Sequence, residues 1–309
     1  MKWSVSPRTV TITVIAVAVL SGGIGSSVTH AYFTSTETGS GTISAADSFG
    51  GSSPPSDDVA WDDADGDGQY DEGERTYSPS ELANFDNQSS NLVIPESVGT
   101  VETSGSENIQ ITAKSITSEV KIEAKNGDVN LNAKNGNVDL SGSVVSKTGS
   151  VDIDAQFGDV YLEGATLDSK NRNIDVTAGG LLDIDGATID TNAQITLRAQ
   201  QISARDATIS SKNGNIALRA TENGGGELDA TGATMDTNGQ ITLRSGADLR
   251  LEDATLSSKN GDATAEVGAS SDTLYVEGAT IQDKDDTLRY SPGDTTVDGT
   301  PASGSTQPN

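Results

Sequence analysis

The feature that most constrains the fold of this chain is a segment that repeats seven times between residues 126 and 284. The copies begin at residues 126, 148, 171, 192, 213, 238 and 260, so the repeat length is 21 to 25 residues. A repeat of this length predicts a solenoid, in which no repeat buries its apolar face alone and neighbouring repeats cover each other.

Each repeat contains two short runs in which apolar and polar residues alternate, as in residues 195–199 and 182–189. This alternation is typical of a strand with one buried face. Alignment of the copies places apolar residues in two columns: Leu162, Ile184, Ala204, Ala230, Leu251 and Val276, and Leu167, Ile189, Ile209, Met235, Leu256 and Ile281. We therefore predict an all-β fold, a single-stranded right-handed parallel β-helix over residues 99–290 with coils about 4.8 Å apart. Leucine-rich repeats are the alternative, but the chain lacks their LxxLxLxxN pattern.

An asparagine recurs at the start of most coils. These residues are Asn126, Asn171, Asn192, Asn213, Asn238 and Asn260. Asn and the Gly that often follows it adopt positive φ with little strain, so we expect a tight turn at this point. Stacked Asn side chains can also pair amide to amide, which predicts an asparagine ladder along the solenoid.

These repeats resemble those of a known family. The stretches GATIDTNAQITLRA and DATISSKNGNIALRA are similar to the haemagglutinin-type repeats of filamentous haemagglutinins and related secreted β-helical adhesins. The resemblance covers about the middle half of the chain. It implies extracellular adhesion or scaffolding, and it brings no catalytic residue with it.

The charge of the chain restricts its partners and its source. There are 46 acidic and 19 basic residues, no Cys, and a formal net charge of −27. Such a charge keeps a protein soluble, and we expect no nucleic-acid partner. The acidic balance favours a halophilic, archaeal source, with an acidic surface protein from seawater or soil as the alternative. The lack of Cys excludes disulfides, zinc thiolate sites and cysteine nucleophiles.

Residues 1–31 have the organisation of a secretory signal peptide. Lys2 and Arg8 precede an apolar run over residues 10–20, and small residues follow. We predict cleavage near Ala31 and a secreted, extracellular or cell-surface protein. An uncleaved segment is the alternative, and it would anchor the protein to the membrane.

Residues 32–58 are predicted to be a junction and a flexible linker. The stretch AYFTSTETGSGT, which begins at Ala31, resembles the AYFTDTE segment at the signal junction of TasA- and camelysin-like proteins. That resemblance implies processing by a dedicated signal peptidase and assembly into fibres outside the cell. It ends by about Ala45, and the β-helix stands where the family has a jelly-roll-like domain.

Residues 59–98 begin with a candidate calcium loop. Residues 63–74 match the twelve-residue EF-hand loop at each ligand position. The predicted ligands are the side chains of Asp63, Asp65, Asp67, Asp71 and Glu74 and the backbone carbonyl of Gln69. Gly68 occupies the position of the sharp turn. The spacing predicts one Ca²⁺, because a hard cation needs such a crowd of oxygens; an acidic linker is the alternative reading.

A short helix is expected after this loop. Ser78 and Glu81 form a capping box with Pro79 at the first helical position, and Leu82 and Phe85 follow three residues apart. We expect this helix to cover the open end of the solenoid, where unpaired strand edges would otherwise recruit other chains. Loop and helix together then form an N-terminal cap.

Three arginines occupy the same position in consecutive coils, namely Arg198, Arg219 and Arg244. Stacked guanidinium groups at the strand spacing repel each other by about 0.8 kcal/mol per pair in water. Neighbouring Asp or Glu on the same face would offset this repulsion. The other reading is a ligand site for a polyanion, such as a sulfated or uronate-bearing surface glycan.

An enzyme is the main alternative function. Asp152 with Asp154, or Asp183 with Asp185, point the same way about 6.5 to 7 Å apart, within the range of glycosidase carboxylate pairs. However, such alternation is also typical of a solvated acidic strand, and the coils lack long insertions that would wall a cleft. We therefore predict no catalytic residue.

The predicted protein is a secreted, non-enzymatic β-helical element of the cell surface or matrix, with rigid structural or adhesive function. Residues 291–309 are predicted to be a disordered tail because Pro, Gly, Ser and Thr dominate there. The alternatives are a carbohydrate-active β-helical enzyme and a TasA-related fibre subunit. End-to-end self-association is possible, and the sequence leaves the glycan or protein partner open.

Overall fold

The parallel β-solenoid predicted from the repeats is confirmed. The structure, a computed structural model, describes residues 58–220, 225–269 and 271–309, which lie in one compact unit, Ser48–Asn309. This part of the chain is nearly all β and stacks parallel strands into about ten coils. The predicted signal peptide and nearly all of the linker lie outside the described residues. Within the described ranges, no helix is long and apolar enough to span a membrane.

Each complete coil contributes strands to three faces of the solenoid. The first face contains β3 (Asn84–Ile94) and Ile109–Ser118, Val129–Ala133, Val151–Ala155, Ile174–Ala178, Ile195–Ala199, Ile216–Ala220, Ile241–Arg244, Ala263–Glu266, Thr287–Ser291 and Ser305–Pro308. The second face contains Val138–Leu140, Val160–Tyr161, Leu181–Asp183, Gln201–Ser203, Leu228–Asp229, Leu249–Arg250, Thr273–Tyr275 and Thr296–Asp298. The third face contains Thr100–Thr103, Lys121–Ala124, Ser143–Ser146, Thr166–Ser169, Thr188–Thr191, Thr208–Ser211, Thr234–Thr237, Thr255–Ser258 and Thr280–Gln282.

The core runs along the axis and contains both predicted apolar columns. On the third face, Leu167 pairs in register with Ile189, and Ile209, Met235, Leu256 and Ile281 continue the column. All of these side chains are fully buried, as are those of the Leu162 column. Since like residues meet in every coil, each coil supplies the apolar surface that its neighbour needs, and burial of each large side chain contributes about 1.5–3 kcal/mol.

The N-terminal end is capped by a hairpin and one helical turn. Strand β1 (Ala60–Asp62) pairs antiparallel with β2 (Thr76–Tyr77) and with the end of β3. Helix α1 (Pro79–Leu82) follows, and a 3-10 turn, Glu96–Val98, leads into the third face. The Glu81 carboxylate accepts hydrogen bonds from the backbone N–H and the hydroxyl of Ser78, as the capping box predicts. Leu82 and Phe85 are buried in the core, but Phe85 lies on β3 and not on the helix.

The solenoid is longer than predicted at both ends. Its first coil begins at Asn84, because β3 pairs in parallel with Ile109–Ser118, whereas the sequence placed the first coil at residue 99. At the other end, the structure differs from the prediction of a disordered tail. Thr296–Asp298 pairs with Thr273–Tyr275, and Ser305–Pro308 pairs with Thr287–Ser291. The backbone of these polar residues continues the ladders of the coils below them.

The turn after the third face is held by hydroxyl groups and not by an asparagine ladder. A buried Ser or Thr ends the third-face strand in six coils, at Ser146, Ser169, Thr191, Ser211, Thr237 and Ser258. Each hydroxyl donates to a backbone carbonyl of the coil below, as Ser169 Oγ does to Gly149 O at 2.8 Å. The predicted amide pairs are absent from the described residues: Asn126 Nδ2 and Asn171 Nδ2 both point at backbone carbonyls.

Positive φ also occurs at a different turn from the one predicted. None of the coil-start Asn residues in the described ranges has positive φ; the non-glycine residues that do are Asp206, Asp253 and Asp286. In six coils, the residue with positive φ lies two positions before the third-face strand. These residues are Gly164, Gly186, Asp206, Gly232, Asp253 and Gly278. At the coil start, glycine is required for space, because a Cβ on Gly239 would lie 2.3 Å from the carbonyl oxygen of Gly214.

Candidate metal loop and arginine column

The predicted calcium loop connects β1 and β2 at the capped end of the solenoid. Asp63 is 5% exposed, and its carboxylate accepts hydrogen bonds from three backbone N–H groups of its own loop. Oδ1 accepts from Gly66 N at 2.8 Å and Asp67 N at 3.1 Å, and Oδ2 accepts from Gly68 N at 2.9 Å. Gly66 and Gly68 have φ of 83° and 79°, which lets the chain wrap around the Asp63 carboxylate.

The other predicted ligands are arranged around this carboxylate. Oxygens of Asp63, Asp65 and Asp67 lie within 4.8 Å of one another. Glu74 closes the loop, because Oε1 accepts from Ala64 N at 2.7 Å and Oε2 from Asp71 N at 3.0 Å. The side chains of Asp71 and Glu74 do not belong to the close group of three. Gln69 N donates to Asp67 Oδ1 at 2.7 Å, which fixes the middle of the loop.

The donor set suits a hard cation. The loop offers only carboxylate and carbonyl oxygens, without a nitrogen or sulfur ligand, and Ca²⁺ prefers six to eight oxygens. Three carboxylates held this close repel each other unless a cation or protons neutralise them. No ion pair of the described residues includes a carboxylate of residues 63–74. The residues therefore fit a calcium site of the EF-hand type.

The loop is tied to the first two coils through one asparagine. Asp63 N donates to Asn91 O at 2.9 Å, and Asn91 Nδ2 donates to Asp63 O at 2.8 Å. Asn91 N donates to Asp62 Oδ1, and Ser115 Oγ of the next coil donates to Asn91 Oδ1 at 3.0 Å. The first position of the loop is thus fixed to the solenoid by backbone as well as side-chain contacts. These contacts join distant segments and could not be predicted from the local pattern of residues.

The three predicted arginines form a column on the first face. Arg198 pairs in register with Arg219, and Arg219 with Arg244. Glu266 follows in the next coil, where its carboxylate lies 2.9 Å from Arg244 Nε. The expected neighbouring carboxylate is therefore present for Arg244. Among the described residues, none forms an ion pair with Arg198 or Arg219.

The carboxyl group with the most strongly raised pKa is one that the sequence analysis did not select. Burial, followed by the charges of Glu119 and Glu163, raises the pKa of Asp139 from 3.8 to about 6. Asp139 pairs in register with Tyr161 on the second face, and Tyr161 pairs with Asp183. Periodicity alone does not reveal this group, because several coils carry Asp at outward positions and only the contacts between coils distinguish one from another.

The two aspartate pairs weighed as catalytic differ in their surroundings. Asp185 Oδ1 accepts from Ser203 Oγ at 2.7 Å and from Arg205 N at 2.8 Å, so this carboxylate holds a turn together. Asp152 and Asp154 lie on the outer side of Val151–Ala155. Burial, followed by the charges of Asp175 and Asp154, raises the pKa of Asp152 above its usual value. Burial also raises the pKa of Asp183, so each pair contains one carboxyl group of raised pKa. The pairs differ in that Asp185 is engaged by the Ser203 hydroxyl and the Arg205 backbone.

Comparison with known proteins adds no family to this picture. No family model, no curated protein and no solved structure matches the chain. The function must therefore be argued from the geometry of the solenoid, the loop and the arginine column.

Proposed function

We propose that this chain is a secreted, non-enzymatic surface or matrix protein in which a rigid β-solenoid acts as a structural or adhesive element. The observation that carries the proposal is the stack of about ten coils, whose strands pair in parallel from β3 to Ser305–Pro308. In such a solenoid each coil contacts only its neighbours, which gives length and a repetitive outer surface. The signal-like segment of residues 1–31 supports export.

We further propose that residues 63–74 bind one Ca²⁺, with Asp63, Asp65, Asp67, Asp71 and Glu74 as side-chain ligands and Gln69 as a carbonyl ligand. A bound Ca²⁺ supplies the positive charge that neutralises these carboxylates. Asp63 and Asn91 then hold the loaded loop against the first coil. The cap that covers the end of the solenoid is in this way stabilised outside the cell, where calcium is abundant.

Two measurements test this function. Fractionation of the producing cells, followed by immunoblotting, should find the chain in the medium or on the cell surface; a chain confined to the cytoplasm would contradict export. Titration calorimetry of the purified full chain should detect one Ca²⁺ site, and Asp63→Ala with Glu74→Ala should abolish it. Unchanged binding in the double variant would place the ligands elsewhere. Asp262→Ala with Asp272→Ala removes the same charge far from the loop in sequence and serves as the control.

A carbohydrate-active enzyme is the second candidate, and the raised pKa of Asp152 beside Asp154 is the observation that favours it. A carboxyl group of raised pKa beside a second carboxyl group is the arrangement of many glycosidases. Acidic polysaccharides incubated with the full chain should remain intact under our proposal. Turnover that disappears in Asp152→Asn with Asp154→Asn would establish the enzyme instead.

A further inference from the structure

The arginine column lies between acidic residues of the first face. Below it, the outward positions of the first face carry Asp152, Asp154 and Asp175, and above it Glu266 stands in register with Arg244. The column of stacked arginines is therefore limited to three coils. Arg289, further along the same face, stands in register with Thr264 and forms an ion pair with Asp285. Two steps of about 4.8 Å separate Arg198 from Arg244, so the column spans about 10 Å along the solenoid axis.

Outside the arginine column itself, the residues beside Arg198 and Arg219 are uncharged. Thr177 stands in register below Arg198. Thr196 and Ala217, two residues earlier on the same strands, form the adjacent column, and both are buried. Arg219 Nε is buried and has no hydrogen-bond partner among the described residues. A charged group with an unpaired donor is stabilised by a nearby anion. Arg198 is exposed and Arg219 is partly exposed, so an anionic ligand can approach these two side chains from solvent.

The shape of the column selects among anions. A guanidinium group presents two parallel N–H donors that match a carboxylate or a sulfate group. Three such groups in a straight row fit a thin, linear polymer whose anionic groups recur along its length. A nucleic-acid duplex is wide enough to contact the flanking carboxylates of Asp154 and Asp175 as well, and these would repel its phosphates.

We propose that Arg198, Arg219 and Arg244 form a binding surface for a linear acidic polysaccharide, with its carboxylate or sulfate groups paired to successive guanidinium groups along the solenoid axis. This inference deepens the proposed adhesive function and rests on it. The net charge of −27 repels a polyanion at long range, but salt at 0.1 M screens charges beyond about 10 Å and leaves contact pairs less affected.

The test uses the purified full chain and two fluorescently labelled probes, polygalacturonate for carboxylate and dextran sulfate for sulfate. Fluorescence anisotropy at about 0.1 M salt, which screens the long-range repulsion, should show saturable binding of at least one probe, and comparison of the two identifies the anionic group. Arg219→Gln should weaken this binding by about tenfold, the loss of one charge-assisted contact. The triple variant Arg198→Gln, Arg219→Gln and Arg244→Gln should remove it.

A matched control distinguishes binding by the arginine column from a general effect of the net charge. Lys125, Lys134 and Lys212 lie on the described surface without an ion pair in the described residues, and their triple change to Gln removes the same charge. This control should bind like the wild type. An equal loss in the control, no binding of either probe, or tighter binding of a single-stranded oligonucleotide would each overturn the proposal. Far-UV circular dichroism verifies that the variants are folded.

The outcome is independent of the other proposals. The variant Asp63→Ala with Glu74→Ala should bind the probe like the wild type, because the calcium loop lies at the capped end of the solenoid. Cell fractionation reports export and is not affected by the arginine substitutions. A failure of the polysaccharide site can therefore be distinguished from a failure of the proposed surface function.

Discussion

Replacement of Ser146 by Ala tests the hydroxyl ladder that joins the coils. Ser146 is fully buried; its Oγ donates to Gly127 O at 2.8 Å and accepts from Gly149 N at 2.9 Å. Alanine would leave a buried carbonyl and a buried N–H without this partner. Because each such group costs about 1–3 kcal/mol, we expect Ser146→Ala to lower the free energy of unfolding by about 2–4 kcal/mol.

Thermal unfolding of the full chain, followed by far-UV circular dichroism, measures this effect. For a domain of this size about 1 kcal/mol shifts Tm by roughly 2–4 °C, so a decrease on the order of 10 °C is expected. Ser146→Thr keeps the hydroxyl and should change Tm much less, since Thr191 and Thr237 occupy the same position in other coils. Ser141→Ala, on an exposed residue, should have little effect. A Tm for Ser146→Ala within about 1 °C of the wild type would refute the ladder.

Three further substitutions test other contacts between coils. Gly232→Ala should destabilise the fold by about 1–3 kcal/mol more than Gly186→Ala in denaturant unfolding, because both have positive φ but only a Cβ on Gly232 would lie 2.3 Å from Asp206 Oδ1. Asp139→Asn should raise the free energy of unfolding by about 1 kcal/mol at pH 7.5 and by little at pH 4. The folded-state pKa of Asp139 is about 6, above its usual value of 3.8, so the wild type loses stability as the pH rises from 4 to 6 and the variant does not. Hydrogen bonds from Lys121 and Lys147 lower the pKa of Glu123 to about 2, so Glu123→Gln should destabilise by about 1–2 kcal/mol at pH 7 and hardly at pH 2. Equal effects of the two glycine variants, or effects of the carboxyl variants that do not change with pH, would contradict these assignments.

The core of the solenoid could be predicted from the sequence because its determinants are local and repeated. Alternation identifies the strands, and the repeat length sets which residues meet, as the pairing of Ile209 with Met235 shows. The same logic identified the stacking of Arg198 and Arg219. Wherever the period is regular, one coil is enough to predict the next.

The turns could not be predicted in the same way, because the neighbouring coil determines them. Asn and Gly at a coil start have a high propensity for positive φ, but in this fold Gly239 is selected by the close backbone of Gly214. Asp206 has positive φ although Asp carries a Cβ. The Asp206 carboxylate lies so close to Gly232 of the next coil that a Cβ at position 232 would clash with it. Such contacts between coils are not visible in the local sequence.

The spacing of the ligands in the candidate metal loop could be predicted from the sequence, but the strands and contacts that hold the loop could not. The positions of Asp63 and Glu74 follow from a twelve-residue pattern. The strands that flank the loop are only three and two residues long, so no periodicity reveals the hairpin. The attachment of the loop to Asn91 depends on a pairing between distant segments.

The stacking of coils is tested most directly by a distance between two matching positions far apart in the sequence. Thr166 and Thr280 stand in one column of the third face, five pairings apart through Thr188, Thr208, Thr234 and Thr255. The chain has no Cys, so cysteines introduced at these two positions can carry the only spin labels. Double electron–electron resonance should give a narrow distribution near 24 Å, five steps of about 4.8 Å. A broad distribution, or a mean beyond about 40 Å, would contradict the stacked solenoid on which the account depends.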